Sequence, residues 1–418
     1  MKDFNRKFRN PGAIDGVELM RFSQRTGWNM EESGLAWAHR LRAQAGLPIA
    51  DLTASNPTRC GFDYPADLLQ ALARPEAFDY DPQPRGTLRA RQAVCQYYAG
   101  RGAPRKPERL VRPEQVVLTT STSEAYSYLF RLLCDPGSEI LVVQPGYPLF
   151  DFLAAIDDVQ LIAAPLLYDH GWQIDPEGLR RAITPRTRAI VLVHPNNPTG
   201  HFTKPWEAEE LARLCREHDL SLIVDEVFLD YGFAGATPSF AAGLEGVPLF
   251  VVSGLSKIAG LPQMKAAWIV ATGPEAALAL DRLEVIADTF LSMNAPVQCA
   301  LPQWLEGREA IQRQIKERTV TNLAELDCQL LLAPQVTRLE VEGGWYAVLR
   351  IPAIQPDEQT VLALLDEGVW VHPGYFFGMA ESGWLVVSLL ADSKEFSTGV
   401  TILVNYLRTH QGGNSTGL

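Results

Sequence analysis

The sequence predicts an α/β protein: a mostly parallel seven-stranded sheet sandwiched by helices, with a smaller α+β domain beside it. Three observations carry this. The 418 residues exceed what one hydrophobic core ordinarily organises, so two domains are expected. The middle of the chain alternates short apolar runs with longer helical patterns, the signature of strands covered by helices on both faces. After about Met293 that alternation stops and a different pattern begins.

In order, Val116–Thr120 reads as a strand. A helix follows from about Ser123 to Cys134, stopped by Asp135-Pro136-Gly137. Further strands are expected at Ile140–Val143, Leu161–Ala164, Ala189–Val193, Ser221–Val224, Phe250–Val252 and Ala266–Val270. Helical stretches fall between many of them, as at Pro205–His218. Beyond Met293 a long helical region runs from Gln298 to Leu332. Strands follow near Trp345–Ile351, Val369–Val371 and Leu385–Leu389, with helices at about Asp357–Glu367 and Phe396–Leu407. A helix at about Glu31–Ala45 is assigned to the same smaller domain. The expected division is residues 51–295 for the large domain, and 1–50 with 296–418 for the small one.

Composition excludes more than it assigns. The net charge is −12, which argues against a general nucleic-acid binder with its basic face. Six cysteines form no CxxC pair and sit near no histidine at zinc spacing, so reduced thiols in a cytoplasmic protein are expected and no metal site. The polar start Met1–Lys7 lacks the apolar core of a signal peptide. The apolar runs fall far short of the roughly 20 residues a membrane span needs. The tail Gln411–Leu418 reads as a frayed end.

In open parallel sheets, ligands sit outside the carboxyl ends of the strands, and five such ends carry unusual residues. Thr119–Ala125 runs from strand to helix, and its hydroxyls and free amides suit a phosphate, although Ser121 or Ser123 also reads as a plain N-cap. Gln144–Pro148 offers the aromatic face of Tyr147, which equally suits packing. His194–Gly200 sets Asn196 and Asn197 between two prolines; Asn197 can donate to an anionic oxygen, or serve an Asx turn. Asp225 ends a buried run, where a carboxylate is costly without a cationic partner. Lys257 follows the next strand, in Ser253–Ile258.

Taken together and in this order, these segments resemble the class I/II aminotransferases of the fold-type I enzymes that use pyridoxal 5'-phosphate (PLP). The resemblance runs from about Leu52 to Leu390 and is strongest at Asn197-Pro-Thr-Gly200, Asp225-Glu-Val227 and Ser256-Lys257. It implies the PLP-transferase fold of type I, with Lys257 carrying the cofactor as a Schiff base and Asp225 keeping its pyridine nitrogen protonated. It also implies Asn197 on the phenolic oxygen, Tyr147 on the ring face, and Thr122, Ser123, Ser256 and Lys265 on the phosphate. Tyr80, followed by Gly86 and Ala90-Arg91, matches a tyrosine that in relatives reaches the neighbouring subunit's phosphate, implying a homodimer. Ser55-Asn-Pro57, Pro373-Gly374 and Phe377-Gly378 match further family segments. The activity implied is a ping-pong aminotransferase acting on an amino acid or related amine with a keto-acid acceptor. A lyase, racemase or decarboxylase on the same scaffold is the alternative, because the cofactor supplies the electron sink in each case. A non-enzymatic sensor is disfavoured by the absence of a basic recognition helix in the first 50 residues.

Three positions depart from the family pattern. Phe228 stands three residues after Asp225 where a tyrosine is usual. Lys265 stands where an arginine usually binds phosphate, which keeps the charge but loses the bidentate fork. Val386 stands two residues before Ser388, where the family places its substrate-carboxylate arginine. Another cation such as Arg59 takes over that role, or the register is offset by a few residues, or the substrate lacks a carboxylate there.

Overall fold

The computed structural model describes residues 22–99, 101, 110–147, 150–235, 238–291 and 293–410. The readings of Met1–Lys7 and of Gln411–Leu418 lie outside these. The strands are β1 (Ala50–Asp51), β2 (Val116–Thr119), β3 (Glu139–Gln144), β4 (Gln160–Tyr168), β5 (Trp172–Ile174), β6 (Thr187–Val193) and β7 (Ser221–Asp225). Then come β8 (Leu249–Gly254), β9 (Ala267–Thr272), β10 (Thr337–Arg338), β11 (Tyr346–Arg350), β12 (Val369–Trp370), β13 (His372–Pro373) and β14 (Trp384–Ser388).

The large sheet has the order β2-β9-β8-β7-β6-β3-β4-β5. The pairs from β8 through β4 are parallel, while β9 runs antiparallel to both β2 and β8. Every residue of β7, β8 and β9 is buried, as a sheet covered on both faces requires. All seven expected strands are present, and β5 is an eighth. It folds back on β4 through a turn in which His170 and Gly171 take positive φ, and Trp172 packs edge-on to Tyr168. Pro165 hid this extension. It stands where β4 stops pairing with β3 and the β5 pairing begins, so its missing N–H interrupts what reads as one apolar run.

The chain order reverses between β3 and β6, so a crevice opens at their carboxyl ends. The helix after β2, Thr122–Leu133, shows why sequence places it there. Ser121 caps it by accepting from the Glu124 amide, and the Glu124 carboxylate reaches back to the Thr120 N–H. Its buried face of Ala125, Tyr126, Leu129 and Phe130 lies on the sheet.

A second, antiparallel sheet has the order β10-β11-β14-β13, and β1 pairs with β12. Its core includes Leu35 from the helix Gly34–Gln44, Val361 and Leu364 from Asp357–Glu367, and Phe396, Val400 and Leu403 from Ser393–His410. The long helical region is two helices, Ala295–Glu306 and Glu309–Leu330, with Gly307 capping the first. The larger core reaches into both through Val297, Leu301, Ile311 and Ile315.

Gly200, closing the turn after β6, is held at φ 72°, and a Cβ there would lie 2.4 Å from the Gly343 carbonyl oxygen and from Val341. Gly200→Ala therefore adds a backbone clash to left-handed strain. It should lose roughly 2–4 kcal/mol in denaturant unfolding. Gly137→Ala, at φ 83° with open space around it, should lose about 1 kcal/mol from strain alone. Equal losses would show that the contact with residues 341–343 carries no energy.

Candidate active site

β7 and β8 end side by side, with Asp225 in register with Val252. Three connections fix the Asp225 carboxylate and backbone. Its Oδ1 accepts from the Val227 N–H at 3.0 Å, its Oδ2 accepts from the Tyr126 hydroxyl at 3.1 Å, and its carbonyl accepts from the His194 N–H at 2.7 Å. The neighbouring Glu226 is fully buried and holds the Ser239–Phe240 turn through Ser239 Oγ and the Phe240 N–H. Burial raises Asp225 to about 6, against the lowering effects of those hydrogen bonds and of the Lys257 charge.

Lys257 lies in the short helix Leu255–Ile258, begun by Gly254 at the end of β8. A side chain on Gly254 would meet the Ala266 carbonyl and Ala267 Cβ at 2.8 Å, so this tight departure from the sheet requires glycine. The Tyr231 hydroxyl donates to the Lys257 carbonyl at 2.6 Å and pins the turn. The ammonium faces two aromatic rings, 4.9 Å from the centre of Trp345 and 5.7 Å from that of Phe228. Burial lowers Lys257 to about 8, with the Asp225 carboxylate opposing.

The other expected residues surround this pair unevenly. Asn197 is buried at the turn after β6, and its carboxamide oxygen has no hydrogen-bond partner. Tyr147, after β3, lines a cavity of about 520 Å³ together with Asn197, Ser55, Arg59 and Tyr346. Thr122 and Ser123 begin the helix after β2; with Ser121 as the N-cap, their amides fall among the first-turn N–H groups that have no helical acceptor. Ser256 is half-buried beside Lys257. Lys265 is exposed with left-handed backbone at φ 51°, and Tyr80 is 81 % exposed. Val386 is buried in β14, opposite Val348 and His372.

Sequence reasoning passed over Tyr126, Trp345, Tyr231 and Ser253, whose buried hydroxyl has no partner. Tyr126, Tyr231 and Ser253 lie in elements, and Trp345 immediately before β11, where packing is the ordinary role, and only Tyr231 carried a signal, being close to Asp225.

A family model for aminotransferases of class I and II matches residues 63–398. The chain is 30% identical over 400 residues to an alanine aminotransferase of Mycobacterium tuberculosis, covering 90% of this chain and 89% of that protein. It is 29% identical over 349 residues to an aspartate/prephenate aminotransferase of Thermus thermophilus, covering 82% and 87%. An alanine aminotransferase structure from Pyrococcus furiosus superposes with a TM-score of 0.83, covering 93% of this chain and all of that one; at 23% identity this shows the fold. The chain belongs to the class I and II aminotransferases. It is an aminotransferase of fold type I, from a family whose members depend on PLP. Among the described residues no helix is long and apolar enough to cross a membrane.

The Tyr126 hydrogen bond lowers Asp225, so Tyr126→Phe should move Asp225 upward from about 6 in cofactor-free protein, by roughly one pH unit. Infrared difference titration of the carboxyl band reads this. Because the folded value exceeds 3.8, the Asp225 contribution to stability is present below 3.8 and lost as pH rises through about 6. The variant should extend that loss to higher pH. An unmoved carboxyl band would remove Tyr126 from the control of Asp225.

Proposed function

We propose that this enzyme holds PLP at Lys257 and transfers the amino group of an α-amino acid to a 2-oxo acid acceptor by a ping-pong cycle. The observation that carries the proposal is the Lys257 amine, lowered towards neutrality by burial, set beside the buried Asp225 at the adjoining strand end. The polar groups around the pair suit this cofactor. The buried Asn197 carboxamide, whose unpartnered end becomes a donor once its N and O are interchanged, an unpartnered Ser253 hydroxyl and open first-turn amides at Thr122 and Ser123 supply polar contacts for a phosphorylated, anionic ring.

When bound, PLP supplies an electrophilic carbon for amines and a protonated ring that withdraws electrons. The protein's part follows from its own groups. Asp225 offers a carboxylate to a cationic ring nitrogen, and Tyr126 with the Val227 amide orients it. Asn197 presents a carboxamide, whose N and O ends interchange by a flip, to the ring's phenolic oxygen. Phe228 brings no hydroxyl to that oxygen. Tyr147 offers an aromatic face. Thr122, Ser123 and Ser256, with Lys265, hold the phosphate. Lys257, at about 8, gives up and takes back a proton at Nζ near neutral pH, and the rings of Trp345 and Phe228 keep water from it.

In the same reading, residues 51–295 form the cofactor-holding domain, with 1–50 and 296–418 as the smaller one. The exposed Tyr80 serves the site of a second copy in a cytoplasmic homodimer. Alanine and aspartate are the first donors to try, from the names of the relatives.

Purified protein should be yellow and lose that absorbance on borohydride reduction, with the label recovered on the peptide containing Lys257. Lys257→Ala should abolish labelling. A label elsewhere refutes the assignment.

A further inference from the structure

Resting on the α-amino acid reading above, we infer that Arg59, with His372 lining the same cavity, receives the substrate's α-carboxylate. The cavity over Tyr147 and Asn197 contains Arg59 as its cation, with the acids Glu32 and Asp51. Both acids are engaged. Asp51 Oδ1 accepts from the Thr53 N–H and hydroxyl, and Glu32 accepts two hydrogen bonds from Arg40. Among the described residues Arg59 has no ion pair and its guanidinium no hydrogen bond, so its five donors are available to an incoming anion.

The turn that carries Arg59 is fixed next to the reacting end of the site. Asn56 caps Pro57–Arg59 through the Thr58 N–H, and the Arg59 N–H returns to the Asn56 carbonyl. The Cys60 thiol donates to the Asn56 carbonyl at 3.1 Å, and Cys60 lies close enough to Lys257 for each to shift the other's titration. The Ser388 N–H and hydroxyl bond the carbonyls of Leu52 and Ala54, tying the approach to this turn to the end of β14.

His372 supplies the second observation. It lines the same cavity, is 8 % exposed, and its Nδ1 has no hydrogen-bond partner. It stands directly across β13 and β14 from Val386. At that register pair an aliphatic side chain leaves the polar role to the histidine. Facing His372 are the Phe376 and Phe377 rings, at 5.9 and 5.6 Å, with the charge of Asp51 nearby. A buried donor and a free guanidinium lining one cavity fit a carboxylate, and the aromatic wall of Tyr346, Trp370 and Phe376 leaves room for the rest of the substrate.

The test compares wild type, Arg59→Ala, Arg59→Lys and His372→Phe, each checked for unchanged cofactor absorbance. Donors are L-alanine, L-glutamate, L-aspartate and L-phenylalanine, with phenethylamine as the donor lacking a carboxylate. In Arg59→Ala, kcat/KM for the best amino acid should fall roughly ten- to a hundredfold. The fall should lie mainly in KM, be smaller in Arg59→Lys and His372→Phe, and leave phenethylamine unaffected. Equal losses for the amino acid and the amine, or no loss in Arg59→Ala, overturn the assignment of Arg59. A yellow wild type that converts none of the amino acids instead overturns the α-amino acid reading.

Discussion

The rest of the site depends on placing a carboxylate out of water, and an ammonium largely so, at the ends of two adjacent strands. An isolated buried charge is costly, so each of Asp225 and Lys257 is tolerated because the other is there and because the surrounding groups are arranged for them. The arrangement is specific. Parallel pairing of β7 and β8 brings Asp225 level with Val252, and the turn at Gly254 returns the chain so that Lys257 faces back across the strand end. Had the register slipped by one residue, Asp225 would point to the opposite face of the sheet.

Around this pair the molecule assigns separate tasks to separate elements. The sheet ends hold the charges and the groups suited to a ring and a phosphate. The turn at Asn196–Gly200 is pressed against residues 341–343, so Asn197 and the aromatic wall at Trp345 are positioned by the same contact. The segment from Leu52 to Cys60 spans the two cores: it bonds Ser388 at one end and packs beside Lys257 at the other. Asp225 therefore sits on the rigid sheet, and Lys257 on the short helix that leaves it. The groups that line the cavity of about 520 Å³ come from both cores, and include Tyr346, Trp370 and His372 from β11, β12 and β13.

This division explains what the sequence made legible. Strands read as apolar runs, and the seven expected ones were visible, β4 among them although only its Ala164 and Leu166 are buried; β5 was not, because Pro165 interrupts its partner strand. Lys257, Asp225 and Asn197 were visible because they are polar residues placed directly after apolar runs, where packing offers no reason for them. Tyr126 lies inside, and Trp345 immediately before, an element whose aromatic residues serve the core, and their roles depend on which face turns towards β7 and towards Lys257. Sequence periodicity gives a face but not what stands opposite it. The replacement of the carboxylate arginine by Val386 was visible as an absence; that His372 stands opposite it follows only from the β13–β14 register.

The opposed shifts of Asp225 and Lys257 bear on how the site responds to a ligand. Burial pushes Asp225 up to about 6 and Lys257 down to about 8, so for both groups desolvation outweighs their mutual attraction. At about pH 7 both are still mostly charged, each within about one unit of neutrality, which corresponds to roughly 1.4 kcal/mol. A cation arriving beside Asp225 stabilises the carboxylate directly, while the Lys257 amine needs only that modest free energy to lose its proton. Phe228 and Trp345 add to the burial that lowers Lys257, while their ring faces attract the ammonium and act in the opposite direction.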